Sequence, residues 1–351
     1  MIPHSKNEIT ADDEVAVLEV LRRGVVTRDY QMLELQDALC RMMNVRFALA
    51  FSSGTAALHA AIEASGVNKV ITPTLTFAAV FNAARLAQDD VELIDVDPHT
   101  LVSLVPQQDT WAAFVPMDYA GYPFSNPAPT EYRITIRDAC HSLPSWIGHS
   151  PLEGGIDMAV FSFHPAKHVA GGEGGAVVTD NKDFYDALLS IRNNGRDRSG
   201  EYYRIGNNYF MDEMSCALAL SQLRRVRENY NKIVKQVGRY YDELEGLPFT
   251  LPPDHLRHGW HLFVIRLHDY LKRDSFRAAS AERSVGTQVH YKPLDFQPYV
   301  RKTIDLGDRE FPSSTAAFHS MVSIPLFASM THDQQDHVIK SIKEVVKELG
   351  L

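Results

Sequence analysis

Ser162-Phe163-His164-Pro165-Ala166-Lys167-His168-Val169-Ala170-Gly171-Gly172-Glu173-Gly174-Gly175 is the stretch on which the reading of this chain turns. It sets one lysine in a short polar loop between two runs, 158–163 and 175–179, that read as buried strands. An amine in a partly desolvated loop is costly unless it is paired or used as a neutral nucleophile, because desolvation disfavours its charged form. A loop lysine taken alone is simply solvated by default. The rest of the chain decides between the two.

Working outward, short runs at 47–51, 70–73, 91–96, 113–117, 133–138, 158–163 and 175–179 are mostly β-branched or aromatic and often apolar on both faces. That is the pattern of a parallel sheet covered by helices. Helical stretches alternate with them, beginning with 10–23, where Thr10 serves as N-cap and Gly24 as a stop, and about 30–43. The alternation predicts an α/β layer architecture. From Asp212 the pattern becomes one long helix reaching about Glu245. After Gly246-Leu247-Pro248 follows a smaller α+β section, with strands at 260–267 and 287–291 and helices at about 271–283 and 332–349. At 351 residues the chain exceeds one average core. The lobe boundary is placed within the long helix, giving 1–230 and 231–351.

Composition narrows the function classes. A net charge of −9 with interspersed signs points away from nucleic acid and from an anionic membrane surface. Cys40, Cys140 and Cys216 are an odd set without metal-ligand spacing. They read as buried thiols of a reducing compartment, and no metal is expected. Met1-Ile2-Pro3-His4-Ser5-Lys6 lacks the apolar core of a signal peptide, and no stretch offers the ~18 uninterrupted apolar residues of a membrane helix. A cytoplasmic protein is the expectation.

Several residues around Lys167 could carry chemistry. Strand 47–51 runs through Ser52-Ser53-Gly54-Thr55 into an alanine-rich helix. Such a junction presents free backbone N–H groups and a positive helix end, an anion site suited to phosphate; taken alone, an ordinary tight turn, with Gly for tightness and Thr for capping, is the commoner explanation. Strand 133–138 ends in Asp138, where open α/β sheets bind ligands and a carboxylate could hold a protonated ring nitrogen. A helix-capping Asp is the plainer alternative. Ser162 could donate to the same phosphate or merely bond backbone, and Phe77 could stack on a flat ring or sit in the core. A phosphate cradle, a strand-end acid, a stacking aromatic and a loop lysine are together what pyridoxal phosphate requires.

On these residues the chain resembles the DegT/DnrJ/StrS-type nucleotide-sugar aminotransferases, of aspartate-aminotransferase fold type I, nearly end to end. Ser53-Gly54-Thr55-Ala56-Ala57-Leu58-His59 resembles the family's phosphate turn, and Thr76-Phe77 with Asn82-Ala83 its ring-stacking segment. Asp138-Ala139-Cys140-His141-Ser142 is similar to its Asp-x-Ala-(His/Gln) segment. Ser162-Phe163-His164-Pro165-x-Lys167 with Gly172-Glu173-Gly174-Gly175-Ala176 is close to its most specific motif. Arg192-Asn193-x-Gly195-Arg196, Asn208-Tyr209-x-Met211 and Val289-His290-Tyr291-Lys292-Pro293-Leu294 follow in the family's order.

The resemblance implies a large domain with a mostly parallel seven-stranded sheet, a smaller C-terminal α+β domain, and pyridoxal 5'-phosphate as cofactor, with pyridoxamine phosphate as its alternate form. Lys167 would form the Schiff base and shuttle the proton, Asp138 would pair with the pyridinium nitrogen, and His141 would sit beside the ring and its phenolic oxygen. Phe77 would stack on the ring, while Gly54, Thr55 and Ser162 would hold the phosphate. Asn208 would reach the cofactor phosphate of the neighbouring subunit, so a homodimer with shared active sites is expected. His290, Tyr291 and His164 would face the substrate. The implied turnover is ping-pong, from an amino acid, usually L-glutamate, to a keto-sugar nucleotide for a surface glycan or secondary metabolite. The opening helix and the Thr76-Phe77 region look most like the branch acting on 4-keto-6-deoxy sugars. A non-nucleotide cyclic ketone as acceptor, and a catalytically silent regulatory relative, are the competing readings.

Four departures from the family pattern stand out: Arg137 for the usual Glu, Phe210 for an Arg, Thr27-Arg28-Asp29 for Gly-Pro, and a connection at 123–132 too short for the usual helix. They are expected at the mouth and flank of the pocket.

Overall fold

The computed structural model describes residues 1–105, 111–125 and 134–351. Two helices open the chain, α1 (Ala11–Arg23) and α2 (Tyr30–Met43). Asp13 accepts the Thr10 backbone N–H at 2.9 Å, and Gly24 ends α1 in the left-handed region at φ +74°, where glycine carries no Cβ penalty.

A sheet follows, built from β1 (Phe47–Phe51), β2 (Lys69–Pro73), β3 (Asp90–Ile94), β4 (Ala113–Phe114), β5 (Ile134–Asp138), β6 (Met158–Ser162) and β7 (Gly175–Thr179). Its spatial order is β1-β7-β6-β5-β4-β2-β3. β7 runs antiparallel to both of its neighbours, and every other pairing is parallel. Both faces are buried. Leu49, Phe51, Ile136, Val160 and Val177 face a core shared with α3 (Gly54–Ser65), α4 (Ala79–Leu86) and α5 (Lys182–Arg192). The alternate residues Ala48, Ala50, Ala159, Phe161, Ala176 and Val178 face a second core with α2 and with α6 (Glu213–Arg224). This two-sided burial is why the strands read as continuous apolar runs.

The chain continues through α7 (Val226–Leu244) to a second, antiparallel sheet. That sheet joins β8 (Phe249–Thr250), β9 (Phe263–Leu267) and β10 (Met321–Ile324) in the order β10-β9-β8. It is packed by α7, α8 (Arg273–Glu282) and α11 (His332–Leu349) around Phe263, Phe276, Tyr240 and Val338. The intervening α9 (Pro298–Thr303) returns to the first sheet, where Val300 joins its core, and α10 (Pro312–Ser320) follows. Among the described residues, no helix is long and apolar enough to cross a membrane.

Several expected elements differ, each for a visible reason. The long helix from Asp212 to Glu245 is two helices. Arg225 leaves helical geometry at φ −108°, ψ 6°, and its guanidinium binds Asp13 Oδ1 at 2.7 Å and the Glu8 carbonyl at 3.0 Å. Strand 287–291 is reduced to a single bridge, Gln288 to Ser323, because β10 takes the place beside β9. Strand 260–267 begins only at Phe263, since Trp260 sits at φ +48° and His261 and Leu262 donate to the Ala120 carbonyl instead. Strand 113–117 keeps two ladder residues before Pro116, which has no N–H to donate. Residues 126–132 of the expected short connection, and Arg133, lie outside the described residues.

Candidate active site

The carboxyl ends of the parallel strands meet the loop 288–297 around a cavity of about 370 Å³. Gly54, Thr55, Phe77, Asp138, His141, Ser162, His164, Lys167, His290 and Tyr291 all line it. Ten of the eleven residues singled out in the sequence are therefore brought to one place. The eleventh, Asn208, is exposed, outside this lining, and bridges to Asn193.

At the start of α3, the Ser53 hydroxyl accepts the Ala56 N–H at 3.0 Å. Gly54 then turns toward Ser162 so closely that a Cβ on it would stand 2.9 Å from the serine Cβ. The close approach puts a hydroxyl and a helix N-terminus side by side, which is a site for a phosphate-like anion. The Lys167 loop is held by a turn, Lys167 N–H to the His164 carbonyl at 2.8 Å, and by Phe163, which exchanges backbone bonds with Gly171 and Gly174. Gly174 stands at φ +151°, with Met211 Cε 2.5 Å from where a Cβ would be. Lys167 has its pKa lowered by burial, with Cys140 and Asp138 opposing.

Asp138 is buried, and its Oδ1 accepts the Cys140 N–H at 3.1 Å. Burial raises its pKa, while Cys140 and Lys167 pull the other way. A carboxylate so placed gains strongly from a cationic hydrogen-bond partner. His141 is buried between the Ala120 N–H, 3.3 Å from Nδ1, and the Tyr291 hydroxyl, 3.0 Å from Nε2. Phe77 is 55% exposed and its ring lies 5.6 Å from that of Tyr291. His290 Nδ1 pairs with Ser323 Oγ at 2.8 Å, and burial lowers its pKa to about 3. His164 is exposed on the rim, its Nδ1 accepting the Ala166 N–H at 3.1 Å.

The cavity also takes residues the sequence reading passed over. His4 comes from the N-terminal segment, its ring 5.4 Å from His290. His261 packs 4.2 Å from His141. A histidine ahead of an apolar strand was the available signal for His261. For His4 there was none, because only the fold brings residue 4 beside residue 290.

The expectation that the departures lie at the mouth of the pocket fails for Arg137. Its side chain points away from Asp138, as strand alternation requires, and is buried against Asp118 at 2.9 Å, the Pro151 and Phe124 carbonyls, and the Trp146 ring. Asp118 is completed by the Phe124 N–H at 2.8 Å and the Ser142 hydroxyl at 2.5 Å. Two other departures meet each other, away from the cavity lining. The Arg28 guanidinium lies 3.9 Å over the Phe210 ring, and Arg192 lies 4.8 Å from it.

The chain matches the DegT/DnrJ/EryC1/StrS aminotransferase family over residues 7–343. It belongs to that family. Its fold is that of solved relatives. Helicobacter pylori PseC, an aminotransferase involved in the biosynthesis of pseudoaminic acid, is 24% identical, with 99% of each chain covered and a TM-score of 0.91. The sugar aminotransferase CalS13 from Micromonospora echinospora is 23% identical, with 98% of this chain and 100% of that one covered and a TM-score of 0.87. NtdA from Bacillus subtilis, solved with bound cofactor PMP, is 24% identical, covering 98% and 86%, with a TM-score of 0.86. The DegT/DnrJ/EryC1/StrS aminotransferases depend on pyridoxal phosphate, and the donor set here fits that group: a cradle closed to side chains at Gly54, a buried carboxylate at Asp138 and a half-buried amine at Lys167.

Proposed function

We propose that this aminotransferase carries an amino group from an amino acid, L-glutamate first among candidates, to a keto-sugar nucleotide by ping-pong turnover in the cytoplasm. The observation that carries the reading is the convergence of Lys167, Asp138 and the Gly54–Ser162 cradle on one cavity. Bound pyridoxal phosphate supplies a carbonyl that condenses with amines and a ring that takes up the electron pair released when a C–H bond breaks. The protein's residues do the rest. Gly54, Thr55 and Ser162 bind the phosphate with the α3 terminus. Asp138 would keep a proton on the ring nitrogen, and Phe77 would cover the ring face. Lys167 Nζ would be the covalent anchor and, as a free amine, would take a proton from one carbon and return it to another. Its lowered pKa favours the free-base form this requires.

His290 and His164 face the acceptor. A neutral histidine pair at the rim, His4 with His290, suits the hydroxyls and keto group of a sugar ring, since burial lowers the pKa of both. We also read the molecule as two lobes, 1–230 and 231–351, and as a homodimer. The exposed Asn208, together with Tyr202, Tyr203 and Ile205, which are 69%, 71% and 83% exposed, forms a surface that a second copy would cover.

The test is a pair of half-reactions on the purified protein loaded with pyridoxal phosphate. L-Glutamate should convert the cofactor to its amino form, and a nucleotide-linked 4-keto-6-deoxyhexose should convert it back. Reversion by free cyclic ketones but not by any nucleotide-linked sugar would overturn the acceptor assignment.

A further inference from the structure

Both ring nitrogens of His141 are committed. Nδ1 accepts the backbone N–H of Ala120 at 3.3 Å, so a neutral imidazole must carry its proton on Nε2. Burial keeps the imidazole neutral, and nearby Lys167, His290 and His168 push the same way. Nε2 lies 3.0 Å from Tyr291 Oη and therefore donates to it. The tyrosine oxygen receives the histidine proton and has to send its own O–H elsewhere.

Tyr291 lines the cavity together with Lys167, Asp138 and Phe77. Its position is fixed from several sides. The Tyr119 hydroxyl donates to the His290 carbonyl just before it, and Leu294 N–H donates to the Thr74 carbonyl at 2.8 Å just after. On the other side of the hydrogen bond, the His141 ring packs against His261. The charged and titratable groups around the phenol are Tyr119, Asp138, Cys140, His141 and His290, with Lys167 lining the same cavity. Burial raises its own pKa, so the O–H is retained.

We infer that Tyr291 is the group that donates a hydrogen bond to the phenolic oxygen of the bound cofactor, and that His141 is a positioning residue acting through it. The neighbours of the hydroxyl favour the cofactor as acceptor over the sugar. His141 bonds the hydroxyl, the tyrosine ring lies 5.6 Å from that of Phe77 and 5.1 Å from that of His290, and Asp138 and Cys140 are close enough to act on the phenol. This inference rests on the pyridoxal phosphate reading above.

The experiment is a pH titration of the visible absorbance of the protein loaded with pyridoxal phosphate, without substrate, for wild type, Tyr291→Phe and His141→Gln. A donor to the phenolic oxygen stabilises its deprotonated form. Tyr291→Phe should therefore raise the apparent pKa of the chromophore by about one unit, a tenfold shift. His141→Gln should raise it less, because the hydroxyl remains. The phenylalanine keeps the ring packing, and circular dichroism checks that both variants fold. A titration unmoved by Tyr291→Phe but moved by His141→Gln would make His141 the direct donor and overturn the inference, as would no shift in either. A wild-type protein with no visible band would overturn the cofactor reading and this inference with it.

Discussion

Asp89 shows how a single buried acid can govern stability without touching the chemistry. It is 4% exposed, and its Oδ2 has no hydrogen-bond partner among the described residues. Burial, helped by Glu63 and Asp90 and opposed by Arg85, raises its pKa from 3.8 to about 7. The folded state thus holds this proton more tightly than the unfolded chain does. Asp89's contribution to stability is fully present below pH 3.8 and is lost as pH rises through about 7. Asp89→Asn mimics the protonated acid, so it should match wild type near pH 4 and exceed it by about 2–4 kcal/mol at pH 8. Chemical denaturation at the two pH values measures the difference. Arg137 makes the converse case. Removing its guanidinium leaves Asp118 buried without its cation, so Arg137→Met should destabilise by about 3–5 kcal/mol in a urea titration. A wild-type midpoint in that variant would mean that the ion pair contributes nothing net.

Elements set the site where their ends approach one another, and glycine marks the closest approach. The β1–α3 junction passes Ser162 at a distance that admits no side chain at Gly54. Gly54→Ala should push the serine hydroxyl from its place and weaken pyridoxal phosphate binding by tenfold or more, while costing about 1–3 kcal/mol of stability from overpacking. Equilibrium dialysis of the cofactor reads the first effect and thermal melting the second. Cofactor affinity equal to wild type would remove Ser162 from the phosphate cradle.

The seven strands of the first sheet could be read directly, because most are apolar on both faces and bounded by turn residues. Their ends could not. β3 stops at Ile94 because the Asp95 carboxylate accepts the Ser313 and Ser314 N–H groups at 2.8 and 2.9 Å, a contact across more than two hundred residues. β10 escaped notice for the same kind of reason: a four-residue strand is specified by its partner β9 more than by its own pattern. In the site, the motif residues were legible because their spacing is local. His4 and the partner of Arg137 were not, since tertiary contacts alone bring them in, and for His261 the local signal was only a histidine ahead of an apolar strand.

The whole molecule leaves Asn208 on the outside of its own cavity, next to exposed tyrosines. If its amide completes the site of a second subunit, two defective variants should rescue each other. In an equal mixture of refolded Lys167→Ala and Asn208→Ala chains, half the dimers are mixed, and each of these has one intact site. Activity should then recover to roughly a quarter of wild type. No recovery above the separate variants would place Asn208 outside any shared site.

Lys167, Asp138 and the Gly54–Ser162 cradle should together bind pyridoxal phosphate and work it as a transaminase. The most direct measurement is the absorbance spectrum of the purified protein with added pyridoxal phosphate, before and after excess L-glutamate, with Lys167→Ala as control. A lysine-bound cofactor band in wild type that bleaches on adding glutamate, and is missing from a folded Lys167→Ala, is the predicted result. A wild-type spectrum indistinguishable from free cofactor, or a Lys167→Ala protein with the wild-type band and undiminished transamination, would contradict the account.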